Sequence, residues 1–106
     1  MTRVIKIAAV LLLAAGFVMP AFAQSSGAEI YKAKCAMCHG ADGLAATPMA
    51  KSMKVVSFKD PTMVNAPDAQ FIANTANGKG KMPAYTGKLT DAQIKDVVLY
   101  IRTLQK

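Results

Sequence analysis

Apolar residues recur three or four apart near the end of the chain, at Ile94, Val97, Val98, Ile101 and Leu104. That spacing marks one face of an amphipathic helix. Just ahead of it, Thr90 and Gln93 stand at capping-box positions, and Leu89 with Ile94 at the positions of a hydrophobic staple. Ser26-Gly27-Ala28-Glu29 repeats the box spacing, so a second helix is predicted from there towards Cys35. A third is predicted from Pro67, placed in a first helical turn, through Phe71 and Ile72 to near Gly78. The stretch Gly40 to Pro48 reads as Gly/Ala-rich loop, Met49 to Met53 as a short helical turn, and Asp60 to Pro67, with two prolines, as irregular. No segment alternates apolar and polar as a half-buried strand would, and there is no internal repeat. The expected architecture is all-α, with three to four helices. Tyr31, Phe58, Phe71, Tyr85 and Tyr100 are expected to build core and pocket walls.

The hydrophobic pattern is different at the start. Arg3 and Lys6 precede an unbroken apolar run from Ile7 to Val18, then Pro20 and the small-x-small triplet Ala21-Phe22-Ala23. This order predicts a secretory signal peptide over residues 1–23, cut before Gln24. The run is too short for a spanning helix, which needs about 20 apolar residues. Export to the periplasm follows as an expectation, with residues 24–106 as the mature domain.

Composition changes once the signal is set aside. Of the first 23 residues 18 are apolar, against 38 of the remaining 83, so the 53% of the whole chain overstates the apolar character of the domain. A domain of this size is too small for a two-domain enzyme. It is also near the limit below which a core needs a disulfide, metal or cofactor. The mature net charge is +5, from 11 Lys and Arg against 6 Asp and Glu. The lysines are spread singly, with no basic run and no interleaved aromatics. That pattern fits a solvated surface or an acidic protein partner and not nucleic acid.

The chemistry is concentrated in Cys35-Ala36-Met37-Cys38-His39, which holds both cysteines and the one histidine of the chain. A thioredoxin-like dithiol would follow a strand in a βαβ unit, but the lead-in Ile30-Tyr31-Lys32-Ala33-Lys34 reads as helix. A zinc site would need a second pair of ligands, which the chain lacks. Cys-x-x-Cys-His is also the signal for covalent haem attachment. Two thioethers would anchor one edge of the macrocycle, and the adjacent imidazole would sit under the iron as proximal ligand.

With no other His or Cys available, a methionine is the natural second axial ligand. Met37 lies within the attachment motif and cannot reach the opposite face. Met49, Met53 and Met63 can be read as packing. Met82 stands in Asn77-Gly78-Lys79-Gly80-Lys81-Met82-Pro83-Ala84-Tyr85. The glycines there permit close backbone approach, and Pro83 biases Met82 to an extended conformation. Such a loop is suited to presenting one sulfur to a metal.

These residues together resemble a small bacterial class I cytochrome c, monohaem and His/Met-ligated, over the whole mature chain. The resemblance implies the cytochrome c fold, helices wrapped around one covalent haem c. It implies thioethers at Cys35 and Cys38, His39 as proximal ligand and Met82 as distal ligand. Gly27 and Tyr31 match family positions on the N-terminal helix, and Val97 with Tyr100 those on the C-terminal helix that packs against it. Pro48 resembles the family proline whose carbonyl accepts a hydrogen bond from the proximal histidine, fixing its tautomer. Many relatives place a tryptophan near a haem propionate; this chain has none, which leaves the propionates' partner open.

The function implied is one-electron transfer between redox proteins by iron cycling between Fe(III) and Fe(II), with no catalytic residues. Both axial positions would be filled, and His/Met ligation raises the potential. Lys51, Lys54, Lys79, Lys81 and Lys88 are candidates to attract an acidic partner, with the protein a monomer. The alternative is a haem sensor or peroxidase-like enzyme in which Met82 dissociates. That would call for a polar distal group, whereas the mature chain has a single arginine, Arg102, and no second histidine.

Overall fold

A computed structural model describes residues 26–106; the predicted signal peptide, residues 1–23, lies outside the described residues. Six helices follow one another: α1 (Gly27–Lys34), α2 (Ala36–His39), α3 (Pro48–Ser52), α4 (Pro61–Val64), α5 (Asp68–Asn77) and α6 (Asp91–Leu104). Among the described residues there is no β-strand, only isolated bridges at Lys79–Met82 and Thr86–Leu89. The all-α expectation therefore holds. Four of the helices, α1, α3, α5 and α6, are those the sequence predicts; α2 and α4 are single turns.

Side-chain caps account for most of the helix starts. Ser26 accepts a hydrogen bond from the Glu29 amide at the head of α1. Thr90 and Gln93 close a reciprocal capping box at the head of α6. Thr47 caps α3, which begins one residue earlier than predicted because Pro48 takes the first helical position. Asp60 caps α4 by accepting from the Thr62 amide, with Pro61 in the first turn. Two prolines made this stretch look irregular; one of them in fact opens a helical turn. Pro67 lies just outside α5 as its N-cap, not in its first turn.

The core is built where α1 crosses α6, with α5 packed on the other side of α6. Gly27 allows the crossing: a β-carbon there would collide with the Asp96 carbonyl on α6. One turn on, the Tyr31 ring packs on Tyr100 with centroids 5.2 Å apart. Tyr31, Ile94, Val97 and Val98 are fully buried, each stabilising the fold by about 1.5–3 kcal/mol. Ile30, Phe58, Phe71 and Ile101 complete the cluster. Tyr85 and Tyr100 are half-buried at its edge.

Arg102 fastens the remaining segment. From α6 it pairs with Asp68 at 2.8 Å, donates to the carbonyls of Met63, Val64 and Ala66, and lies 4.5 Å over the Phe71 ring. The segment from α4 to α5 is thereby held against the last helix.

Candidate functional site

The Cys35–His39 motif forms its own helical turn. Cys35 ends α1, its amide bonded to the Tyr31 carbonyl, and α2 carries Cys38 and His39. The turn is tied back to α1 by the Tyr31 hydroxyl, which donates to the Gly40 carbonyl at 2.6 Å. Both thiols are free. Burial pushes the Cys35 thiol up to about 11, so it is protonated at neutral pH.

His39 lies stacked on Phe58, centroids 4.6 Å apart and planes 17° apart. Burial lowers its pKa, favouring neutral imidazole, the form that binds metals. Among the described residues, the buried side-chain polar atom without a hydrogen-bond partner is His39 Nδ1. The bond expected from Pro48 is therefore not made here. Pro48 stands at the head of α3, while the imidazole lies flat against Phe58. An orphaned buried nitrogen calls for a partner or a metal.

Beside this turn opens a cavity of about 640 Å³, within the range of cofactor sites. Cys35, Cys38, His39 and Met82 all line it, together with Phe58, Phe71, Val97 and Ile101. Met53 and Met63 line it too, whereas Met37 and Met49 do not. Met37 is 71% exposed. Met49 lies outside, its sulfur 3.6 Å from the Cys38 Sγ.

Met82 is presented by a tight turn. Its amide donates to the Lys79 carbonyl at 2.9 Å, and its carbonyl accepts from the Lys79 amide at 3.1 Å. Gly78, at φ +76, lets the chain pass close behind: a β-carbon there would lie 2.7 Å from the Met82 carbonyl. Two residues past Pro83, the Tyr85 amide donates to the Thr75 carbonyl of α5 at 3.0 Å. Its hydroxyl reaches the Lys34 carbonyl of α1 at 3.1 Å.

The donor set fits one cofactor type. Two thiols and an adjacent imidazole meet an apolar cavity with a thioether sulfur in its wall, a set that suits covalent haem with His and Met axial ligands. Among the described residues, no group of three or more His, Cys, Asp or Glu is placed to hold a metal ion, as a zinc site would require. The reading of the sequence did not single out Phe58 as a platform for His39, nor the Tyr85 tie to Lys34. Neither carries a local signal, because the partners are 19 and 51 residues apart.

The chain is similar to c-type cytochromes. The family described as cytochrome C oxidase, cbb3-type, subunit III matches residues 22–101. Cytochrome c6 of Nostoc sp. is 39% identical over 87 residues, covering 80% of this chain and 76% of its own. Cytochrome c6 of Leptolyngbya boryana is 37% identical over 79 residues, covering 73% and 87%. The solved structure of KustC0563 c-type cytochrome superposes with a TM-score of 0.71 at 26% identity, covering 77% of this chain and all of the other.

Proposed function

Because the chain belongs to the class I cytochromes c, one-electron carriers that hold a covalent haem c, we propose that Cys35 and Cys38 form its two thioethers and that His39 and Met82 are its axial ligands. The single observation that carries this assignment is the cavity that Cys35, Cys38, His39 and Met82 line together. The chain is a carrier, not an enzyme, and its partners are redox proteins. When bound, the haem supplies the Fe(III)/Fe(II) couple.

The residues of the chain set the conditions for that couple. Phe58, Phe71, Val97 and Ile101 give the pocket apolar walls, which would tune the potential of a bound haem. Burial keeps His39 neutral as a nitrogen donor. Phe58 braces its ring from one side. The doubly bonded turn at Lys79–Met82 holds the Met82 backbone in place. Pro48 is the acceptor we assign to His39 Nδ1 in the haem-bound protein. Held by Met82, the iron would have a raised potential and no open site for a substrate.

Lys51, Lys79, Lys81 and Lys88 are exposed, and we assign them to attracting an acidic partner surface. Redox encounters of this type are small and short-lived, and a monomer suffices for them. The signal order of residues 1–23 supports export of the mature protein to the periplasm. Among the described residues no helix is long and apolar enough to cross a membrane.

Optical spectroscopy tests the ligands. A low-spin spectrum with a methionine–iron charge-transfer band is expected in the oxidised protein, and that band is expected to vanish in Met82→Ala. Its persistence would move the ligand to Met53 or Met63, which share the cavity. A high-spin native spectrum would favour a sensor or peroxidase-like role. Transfer rates that ignore ionic strength would remove the lysine docking surface.

A further inference from the structure

The cavity that takes the haem is lined by four lysines, Lys34, Lys54, Lys79 and Lys81, and by no Asp or Glu. A haem brings two carboxylates of its own. Cations without competing anions are what such groups need when they are held partly out of water. The chain has no tryptophan to meet them.

The four lysines are not equivalent. Lys34 stands next to Cys35, and Lys79 and Lys81 ride on the Met82 turn. Lys54 lies on the segment that leaves α3, and its backbone is unusual. Val55 donates back to the Ala50 carbonyl at 2.9 Å, and Lys54 to the Lys51 carbonyl at 3.3 Å. This is a helix-ending motif whose turning residue must be left-handed, a place normally taken by glycine or asparagine. Lys54 takes it at φ +56, and Ala45 is the other non-glycine residue at positive φ. Glycine would end α3 with less strain. A strained residue that faces a ligand cavity points to a role for its side chain. Among the described residues, Lys54 also has no ion-pair partner.

We propose that Lys54 binds a haem propionate, its left-handed backbone turning the ammonium towards the cavity mouth. This rests on the carrier reading and the haem it requires, and it removes Lys54 from the partner-docking set. Its charge would favour the reduced iron and hold the propionate ionised to lower pH.

The test uses the haem-loaded protein, with the reduction potential measured across pH. In Lys54→Gln and Lys54→Gly the potential is expected to fall at neutral pH, and its propionate-linked step to move to higher pH. Lys54→Arg is expected to keep the native profile. Lys54→Gly is also expected to unfold at a higher temperature than Lys54→Gln, because the strain is relieved. The potential and stability would then separate the charge from the cap. Unchanged profiles in both neutral variants, with the methionine–iron band intact, would overturn the proposal and leave the carrier reading standing. A step that moves in Lys79→Gln or Lys81→Gln instead would also overturn it. Failure of the native chain to take up haem would overturn the carrier reading itself.

Discussion

The Tyr85 hydroxyl donates to the Lys34 carbonyl at 3.1 Å, joining the loop that presents Met82 to the helix that ends at Cys35. The two sides of the cavity are thus linked by one hydrogen bond across 51 residues of sequence. Burial raises the Tyr85 pKa, so the phenol stays a donor at neutral pH.

Tyr85→Phe should loosen the distal side without changing the fold. A single neutral hydrogen bond stabilises by about 1 kcal/mol, which corresponds to about a fivefold change in an equilibrium constant. With Met82 as the proposed distal ligand, external imidazole should displace it up to about five times more readily. The measurement is a titration of the methionine–iron band. Equal imidazole affinity in the two proteins would show that the Lys34 contact does not hold the loop.

Gly27→Ala addresses the crossing of α1 and α6. The added methyl meets the Asp96 carbonyl and lies 3.2 Å from the Val97 amide, both backbone atoms that cannot swing aside. Overpacking of this type costs about 1–3 kcal/mol. Since Gly27 is the first residue of α1, little helix propensity is regained. A lowered denaturation midpoint with an unchanged optical spectrum is expected.

Arg102 differs from an ordinary surface arginine. Its guanidinium serves Asp68, Gln105 and the carbonyls of Met63, Val64 and Ala66. Hydrogen bonds to a charged group contribute more than neutral ones, and Arg102→Ala should cost about 2–3 kcal/mol. Lysine cannot reproduce the planar fork, so Arg102→Lys should recover less than half of that loss. Asp68→Asn, at an exposed carboxylate, should cost less than about 1 kcal/mol. Thermal unfolding of the three variants distinguishes a carbonyl clamp from a simple ion pair.

The sequence made legible whatever is encoded locally. The capping box at Thr90 and Gln93, the period of Ile94 to Leu104, and the Cys35–His39 motif each need only a few adjacent residues to be recognised. The Met82 loop could be read because glycine widens and proline narrows the backbone conformations open to the chain. The turn at Pro61 was missed because a proline that opens a helix and one that breaks a loop look alike until Asp60 is seen capping. Contacts such as Phe58 on His39, or Arg102 on the Met63 to Ala66 carbonyls, depend on which segments the fold brings together. The Pro48 bond to His39 is a related case. It is expected from a resemblance, whereas the imidazole here rests on Phe58 with Nδ1 unpaired.

Tyr31 supplies a prediction in pH. Its hydroxyl is buried against the Gly40 carbonyl, and burial raises its pKa well above the ordinary 10.0. The folded state therefore holds this proton more tightly than the unfolded chain. Its contribution to stability is complete below about pH 10 and is lost as pH rises beyond the unfolded value. Tyr31→Phe should cost about 1 kcal/mol near neutrality, from the lost bond and the unsatisfied carbonyl. From about pH 8 to about pH 11, the native protein should lose stability faster than the variant, because only the native chain carries this proton-linked group at position 31. Denaturant midpoints across that range give the comparison. A gap that stays constant above pH 10 would mean that the Tyr31 phenol ionises as readily in the folded protein as in the unfolded chain.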